Sequence, residues 1–430
     1  MSTQVLETQC CIAGGGPAGL MLGLLLARAN VDVVVLEKHS DFFRDFRGDT
    51  IHPSTLDLID QLGLRAHFDE IPRTDVRTLD LVINGNRLTP VDFSHLGGQN
   101  RNIALMPQWD FLTLLSDEAE RYPNFHLMLG ARVTDLVRDD ERISGIVAET
   151  ESGPLRVTAA LTVAADGRDS DVRTAAGLVP REYGVGIDVL WFRLPKPEER
   201  PRNTLGYLNA ESMVVTIPRT DYYQAGMLIP KGGYPEIQAA GIREFRARIV
   251  RAAPFLAPVV DSIENWDQVK VLTVQVNRLR RWWLPGLLCI GDAAHAMSPA
   301  FGVGVNYAIQ DAVAAARILA APLRTGTVTP VMLQRVQRRR LWPVRLMQPI
   351  QLGLHRVIAR PGGGGFLPYP MKRWQRAVAA VILPVYRRVL PRLVGRGFRP
   401  ERLSGDILNA AATPAATGAA ASSGLPKISD

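Results

Sequence analysis

The 430-residue chain is 47% hydrophobic and 21% charged, which is ordinary for a globular protein and leaves room for two domains with apolar cores. Its first nine residues contain no Lys or Arg, so we expect no signal peptide, and its three cysteines lie in apolar runs, so we expect no disulfide framework. No cluster of metal-ligand residues accompanies the cysteines. These features predict a cytoplasmic protein without a metal site.

The charge of the chain is unevenly distributed. Residues 1–311 carry 31 basic and 39 acidic side chains, whereas residues 312–400 carry 17 basic side chains and no acidic one. A basic, apolar segment with tryptophans, here residues 333–402, can lie on the anionic inner face of a membrane. It can also pack as helices whose arginines pair with the acidic body. We expect peripheral membrane contact, with packing as the alternative, and no nucleic-acid binding, because no binding motif accompanies the charge.

The most informative stretch combines a strand, a glycine loop, a helix and a second strand. An apolar strand over Cys10–Ala13 precedes the GxGxxG pattern of Gly14–Gly19, and a helix is predicted over Leu20–Ala29. The run Val31–Leu36 then ends at Glu37. Such glycines allow a tight turn, the approach of a pyrophosphate and close packing, and the carboxylate accepts hydrogen bonds from a ribose, which favours FAD or NAD over NADP. The predicted cofactor-binding residues are Gly14, Gly15, Gly16, Pro17, Ala18, Gly19, Glu37 and Lys38.

The loop after this unit contains two candidate catalytic residues. Arg47 lies beside Gly48, ahead of a helix predicted over Leu56–Leu62 with Ser54-Thr55 as its cap. A guanidinium that returns over the nucleotide would stabilise a pyrophosphate or a reduced flavin, so Arg47 is predicted to bind the cofactor and to act in catalysis. His52 could face the same site, or it could be a hydrogen-bonded structural histidine.

Strands dominate the middle of the chain. The run Val76–Val91 contains a hairpin signal at Asn84-Gly85, and Gln108 precedes a helix predicted over Phe111–Arg121. A meander is predicted over Val133–Val137, Ile143–Thr150 and Leu155–Ala160. A mainly antiparallel sheet is predicted within residues 183–280, with strands over Ser212–Pro218, Tyr222–Pro230 and Val269–Val276 and a helix around Ile242–Ala252. Its side chains Trp191, Tyr222, Tyr223, Gln224 and Met227 could line a substrate cavity or could be core residues.

Two further loops follow apolar strands. Asp166-Gly167 ends one strand and Arg173 lies on the helix that follows, although turn chemistry alone also explains an Asp-Gly pair. Gly291-Asp292 ends another strand, and a helix opens near Gly304. A carboxylate at this position can accept hydrogen bonds from a polyol chain, and the helix start can hold negative charge. His295 could face a flavin, with a structural role as the alternative.

Together these motifs resemble the FAD-dependent aromatic hydroxylase family, the single-component (group A) flavoprotein monooxygenases, over roughly residues 8–320. The first glycine loop is similar to the family's adenosine-diphosphate site, and Asp166-Gly167 is similar to its DG motif. Gly291-Asp292 is similar to its GD motif, which binds the ribitol and the flavin ring, although Phe301 and Val303 stand where many hydroxylases have Gly and Gln. The sequence around Gly304 looks more similar to that of bacterial oxidoreductases near the ubiquinone-hydroxylase branch. The resemblance implies these further cofactor-binding residues: Gln108, Asp166, Gly167, Arg173, Gly291, Asp292, Pro299, Gly302, Gly304, Val305 and Asn306.

The resemblance also implies an activity. It implies a monooxygenase that uses NADH or NADPH and O2 to hydroxylate or epoxidise a small, apolar aromatic or quinone-like substrate through a C4a-hydroperoxyflavin. One alternative is an FAD-dependent reductase or dehydrogenase of a polyprenyl or polyketide product. Another is a non-catalytic relative that keeps the fold for binding.

The expected fold class is α/β. We expect a Rossmann-like parallel sheet for FAD, interleaved with a β-rich substrate domain and followed by a C-terminal helical extension. The predicted FAD-binding domain comprises residues 1–75, 100–180 and 281–330, and the predicted substrate domain comprises residues 76–99 and 181–280. Residues 331–405 are predicted to be the basic helical segment, and residues 406–430 a disordered tail.

Overall fold

A computed structural model describes residues 3–43, 50–83, 85–201, 204–209, 211–358 and 388–408 of the chain. The strands are β1 (Gln4–Ala13), β2 (Val33–Glu37), β3 (Thr50–Ile51), β4 (Thr74–Val76), β5 (Thr78–Ile83), β6 (Asn86–Asp92), β7 (Ile103–Leu105), β8 (Phe125–Leu129), β9 (Arg132–Asp139), β10 (Arg142–Thr150), β11 (Gly153–Ala164), β12 (Pro180–Tyr183), β13 (Ile187–Pro195), β14 (Thr204–Leu208), β15 (Met213–Pro218), β16 (Tyr222–Pro230), β17 (Lys270–Leu272), β18 (Val276–Leu279), β19 (Trp283–Leu284) and β20 (Leu287–Cys289). The helices are α1 (Pro17–Arg28), α2 (Pro53–Leu62), α3 (Arg65–Glu70), α4 (Gln108–Glu120), α5 (Asp171–Ala175), α6 (Tyr234–Ala240), α7 (Ile242–Ala252), α8 (Gly304–Arg324), α9 (Pro330–Ile358), α10 (388–396) and α11 (Gly405–Leu408).

The central sheet has eight strands, with β1 in its middle. β1 pairs in parallel with β11 and β2, and β11–β20 and β2–β8 are also parallel pairs. Alternate residues of β1 enter different apolar clusters, Cys10 and Ile12 on one face and Cys11 and Ala13 on the other. Because both faces are covered over Cys10–Ala13, this second half of the strand is an uninterrupted apolar run, as is usual for parallel sheets. The cysteines are free and buried, as predicted.

The parallel pairing explains how motifs distant in sequence come together. The carboxyl ends of β1, β2, β11 and β20 lie at the same edge of the sheet, since these strands run in one direction. The chain segments that leave that edge begin at Gly14, Lys38, Ala165 and Ile290. In open α/β sheets such an edge forms the ligand crevice.

β11 differs from the sequence prediction. The meander strand over Leu155–Ala160 and the run toward Asp166 were expected as separate strands, but Gly153–Ala164 is continuous. Its first half pairs with β10, and its second half pairs with β20 on the same side. One long strand therefore joins the meander to the cofactor edge.

The second large sheet is mainly antiparallel, as predicted, in the order β17-β13-β16-β15-β14-β5-β6, with one parallel pair between β14 and β5. Phe192 on one of its faces packs against Phe245 and Ile249 of α7. Trp191 alternates to the opposite face. The predicted hairpin is present as β5–β6, and Asn84 of its turn lies outside the described residues. Two smaller sheets, β3-β7-β4 and β12-β18, complete the fold.

Three helices begin earlier than the apolar pattern predicted, one of them α4, which begins at Gln108 and not at Phe111. α1 begins at Pro17 and α2 at Pro53, each with proline in its first turn. Proline is favoured there because its missing N–H would have no intrahelical partner. His52, rather than Ser54-Thr55, is the residue before α2. The α/β class is as expected, and the domain boundaries stay a prediction.

The described part of the C-terminal segment packs against the rest of the protein. Arg340 is buried against Asp311 and Glu401, and Arg339 pairs with Glu401. Residues 406–408 belong to α11, whose Ile407 enters the core, so the predicted start of the disordered tail is too early. Residues 409–430 lie outside the described residues. Within the described ranges, no helix is long and apolar enough to cross a membrane.

Candidate active site

A cavity of about 330 Å³ opens at the carboxyl edge of the central sheet. Its walls come from the three predicted loops and from the second sheet. Many predicted cofactor residues line it: Gly14, Gly15, Gly16, Pro17, Ala18, Glu37, Lys38, Gln108, Asp166, Gly167, Asp292, Pro299, Gly302, Gly304 and Val305. The structure therefore brings the three motifs together in one crevice.

The glycine loop has the geometry that its sequence predicts. Gly14 has φ +104°, and its α-carbon lies against the backbone of Ala165, so a side chain would be strained and crowded. A Cβ on Gly19 would overlap the carbonyl oxygen of Gly14, which explains why the helix can pack so closely. Gly16 faces open space, and no side chain caps the start of α1. The first N–H groups of α1 can therefore bind an anion.

Glu37 is fixed beside this loop. Its Oε2 accepts a hydrogen bond from the Gly15 N–H at 2.8 Å, and its Oε1 accepts one from the His39 N–H at 3.1 Å. The carboxylate thus holds the glycine loop and the end of β2 together at the cavity wall. This is where a ribose diol would find its acceptor.

Asp166 is one of the residues that line the cavity. Its Oδ2 accepts a hydrogen bond from the Val172 N–H at 3.1 Å, while its buried Oδ1 has no hydrogen-bond partner among the described residues. Burial raises the pKa of Asp166, and hydrogen bonds from Ser170 and Val172 act in the opposite direction. A buried acceptor without a partner in a crevice indicates a missing ligand donor.

Arg173 connects two loops and does not line the cavity. Its guanidinium donates to the carbonyl oxygens of Ala293 at 3.2 Å and Arg168 at 2.7 Å. Arg168, which the sequence reasoning missed, lines the cavity with its Nη2 3.5 Å from Asp292 Oδ2. The sequence feature that could have identified Arg168 is its position directly after Gly167.

Asn306 also acts on the cavity indirectly. Its Oδ1 accepts hydrogen bonds from the His52 N–H at 2.9 Å and the Thr55 hydroxyl at 2.7 Å. Its Nδ2 donates to the carbonyl oxygens of Thr50 and Gly302 at 3.2 and 3.4 Å. The side chain is buried and is absent from the cavity lining. Asn306 therefore positions the Gly302 turn, and direct cofactor contact by its side chain is not supported.

Gly19 and Gly291 are likewise packing positions. Gly291 has φ +59°, and a Cβ there would lie 3.2 Å from the Ala308 side chain and 3.3 Å from the Ala18 side chain. Neither glycine lines the cavity. Their small size lets the helices approach the loops that do.

His52 does not line the cavity. Its ring is fully buried, and Nδ1 donates to the carbonyl oxygen of Val394 at 2.8 Å. Burial lowers its pKa to about 4. The structural alternative fits this geometry, and the predicted catalytic role does not. Arg47, the other predicted catalytic residue, lies outside the described residues.

The second sheet contributes an apolar wall. Trp191, Ile217 and Leu272 line the cavity, together with Met297 from the loop after Asp292. The other aromatic and polar candidates do not line it: Tyr223 and Met227 are core residues, Gln224 donates to the Phe192 carbonyl oxygen, and Tyr222 stacks with Arg193. Successive side chains of a strand point to opposite faces of the sheet, so a strand that borders the cavity also carries residues that do not reach it.

The donor set fits FAD. The crevice offers uncapped starts of α1 and α8 for negative charge, and the carboxylates of Glu37 and Asp292 for hydroxyl groups. Asp166 Oδ1 adds a buried acceptor without a partner. These groups match a dinucleotide that carries a diphosphate and several hydroxyls.

Comparison with known proteins defines the class. The family described as FAD binding domain matches residues 7–348, so the chain belongs to this family of FAD-binding proteins. Among its relatives is 6-methylpretetramide 4-monooxygenase of Streptomyces rimosus, 32% identical over 93% of this chain and 95% of the relative. The chain is an FAD-dependent oxidoreductase of the monooxygenase type, as the resemblance implied.

Solved structures support the fold. OxyS anhydrotetracycline hydroxylase from Streptomyces rimosus superposes with a TM-score of 0.72 at 23% identity, over 91% of this chain and 76% of that one. CabE, an aromatic hydroxylase from angucycline biosynthesis, superposes with a TM-score of 0.68 at 21% identity, over 90% of this chain and 76% of that one.

Proposed function

We propose that this enzyme hydroxylates a planar, fused-ring phenolic substrate of the polyketide type. The observation that carries the proposal is a single cavity with polar cofactor loops on one side and Trp191, Ile217 and Leu272 on the other. A flat aromatic molecule could lie between them. The relative that matches 93% of the chain is named for a 4-monooxygenation of 6-methylpretetramide, which supports this substrate class.

The roles of the site residues follow from their positions. When bound, FAD accepts reducing equivalents from NAD(P)H and activates O2 for transfer to the substrate. The start of α1 would bind the diphosphate, Glu37 would accept hydrogen bonds from the ribose, and Asp292 would accept them from the ribitol. The start of α8 would stabilise negative charge on the flavin. The apolar wall orients the substrate and excludes water.

Trp191 is the principal substrate-facing residue in this proposal. Gly226 lies opposite it on β16, and a Cβ there would come within 3.0 Å of the indole carbons Cε3 and Cζ3. The missing side chain lets the indole lie close against the sheet. Its Nε1 is buried and has no hydrogen-bond partner in the described part of the chain. The indole therefore offers a stacking surface and one donor for a phenol or carbonyl oxygen.

Substitution of Trp191 tests the proposal. The probes are 6-methylpretetramide and 1,8-dihydroxyanthraquinone, and the readouts are substrate-stimulated NAD(P)H oxidation, bound FAD and the hydroxylated product. We expect Trp191→Phe to raise KM roughly fivefold through the lost donor, and Trp191→Leu to raise it further, with FAD content unchanged. Trp266→Phe is the control, because Trp266 packs on Tyr234 and Phe245 away from the cavity. Equal KM values for Trp191 and Trp266 variants, or no response to either probe, would contradict the proposal.

We also propose peripheral contact between the outer face of α9 and an anionic membrane surface. Arg335, Arg338 and Arg345 are exposed on this face beside Trp342 and Leu346, whose exposed fractions are 39% and 44%. Such a mixture of basic and apolar side chains favours an interfacial position. Co-sedimentation with phosphatidylglycerol vesicles at low salt, lost on Arg335→Glu/Arg338→Glu substitution, is the expected result. Equal sedimentation with phosphatidylcholine vesicles would contradict it.

A further inference from the structure

Two acidic residues bracket the basic C-terminal interval, and both are buried. Asp311 is the last acidic residue before it and Glu401 the first after it. Asp311 is fully buried, Glu401 is 2% exposed, and Arg340 between them is 1% exposed. Buried charges are costly unless they are paired and hydrogen-bonded. The contacts of this cluster therefore have to account for all three groups.

Asp311 is bonded on both oxygens. Its Oδ2 accepts hydrogen bonds from the Gly291 N–H at 3.1 Å and His295 Nε2 at 2.6 Å, and its Oδ1 accepts one from Arg340 Nε at 2.9 Å. Burial alone would raise the pKa of Asp311, but His295 and Arg340 hold it below its usual value. Because a carboxylate only accepts, His295 Nε2 carries the proton.

His295 is held from its other side as well. The Trp282 ring packs against its imidazole with centroids 4.9 Å apart. His295 is 1% exposed and absent from the cavity lining, so of the two possibilities for this residue the structural role fits and a position facing the flavin does not. His295 thus helps to orient the Asp311 carboxylate.

Arg340 connects the hydrogen bonds around Asp311 to the C-terminal segment. Its Nη1 donates to the Arg399 carbonyl oxygen at 3.0 Å and lies 3.6 Å from Glu401 Oε1. Glu401 also pairs with Arg339 at 2.7 Å and with Arg317 at 3.2 Å. A continuous series of polar and charged contacts therefore runs from the Gly291 turn to Glu401.

We infer that Asp311 and Arg340 are positioning residues of the cofactor site. Asp311 holds the Gly291 N–H, and the next residue, Asp292, enters the cavity. The turn Gly291–Ala293 has no side-chain cap of its own at its N-terminus, so Asp311 supplies the acceptor that fixes it. Arg340 fixes Asp311 in turn. The C-terminal helix α9 is therefore part of the structure that determines FAD affinity, an inference that rests on FAD binding and not on the substrate proposed above.

Titration of apoprotein with FAD tests this inference. We expect Arg340→Met to weaken FAD binding about tenfold, which corresponds to about 1.4 kcal/mol, because Asp311 loses its cationic partner. Arg340→Lys should weaken it less, about threefold, since the ammonium group keeps the charge but cannot reach both Asp311 and the Arg399 carbonyl. Arg338→Met is the matched control, because Arg338 is exposed on the same helix, and it should bind FAD like the unsubstituted protein.

Amide exchange of Gly291 separates positioning from general stabilisation. In Arg340→Met apoprotein, exchange should accelerate at Gly291 and its neighbours more than in the strands of the second sheet. Circular dichroism confirms that each variant is folded. If Arg340→Met does not fold, Arg340→Lys decides. Unchanged FAD affinity in a folded Arg340 variant, or uniformly faster exchange, would overturn the inference, whereas substrate tests would be unaffected by that result.

Discussion

The two ends of the cavity are constructed differently. At the nucleotide end, where we propose that the diphosphate and the ribose bind, Gly14–Ala18 and Glu37 form a wall from backbone and one carboxylate, all close together in the sequence. At the flavin end, where we propose that the flavin binds, contacts between distant parts of the chain hold the segment from Gly291 to Val305: the adjacent Asn306 bonds to the start of α2, and Arg340 acts through Asp311. The first end depends on local conformation, and the second depends on tertiary contacts.

Glycine substitutions at the nucleotide end should have the largest effect. Gly19→Ala places a Cβ against the Gly14 carbonyl oxygen, and we expect it to destabilise the folded protein by about 3 kcal/mol or more and to abolish FAD binding. Gly16→Ala meets no neighbouring atom, so apoprotein stability should be nearly unchanged while FAD affinity falls. Urea unfolding of both apoproteins checks this pair, and equal stability losses would contradict the local account.

At the flavin end, Asn306→Ala should have the next largest effect. It removes four hydrogen bonds and leaves the His52 N–H and the Thr55 hydroxyl without an acceptor, so we expect a loss of about 2–3 kcal/mol. Asn102→Ala is the control, because the bond that the Asn102 side chain makes within the described part of the protein is to the exposed Asp75. Urea unfolding and FAD titration should show both lower stability and weaker binding. Lower stability with unchanged FAD affinity would contradict a role of the Gly302 turn in FAD binding.

A decrease in pH should destabilise the folded protein through His52, at the same end of the cavity, and by less than the Asn306 substitution does. His52 has a folded-state pKa of about 4, lowered from 6.5 by burial, so the unfolded chain binds more protons between these values. Stability should therefore fall as the pH decreases from 7 to 5, by about 2 kcal/mol from this group. His52→Asn keeps a donor for Val394 and should reduce this dependence, leaving the part due to His355, whose pKa is also lowered to about 4. An identical pH profile for the variant would contradict the assignment.

This contrast also explains what the sequence could predict. The glycine loop and Glu37 were found because their spacing is local and each residue type has a specific geometric role. The predicted helix starts were a few residues too late, because the apolar pattern does not include the proline with which a first turn can begin. Asn306 and Arg173 were expected to contact the cofactor, but their side chains bond to other loops of the protein, Asn306 to Thr50 and His52 and Arg173 to Ala293, and these contacts are not visible in the sequence. The Asp311–Arg340 pair joins two helices, and its sequence signal was only an isolated acid ahead of a basic segment.

Labelling with ¹⁸O2 tests the central claim most directly. Holoenzyme with NAD(P)H and 6-methylpretetramide should yield a product that contains one ¹⁸O atom per turnover, with one NAD(P)H oxidised per O2 consumed. The Trp191→Leu variant should oxidise NAD(P)H with less labelled product and more hydrogen peroxide. Product that forms without O2, or product that carries no label, would contradict the monooxygenase account and would favour the reductase alternative.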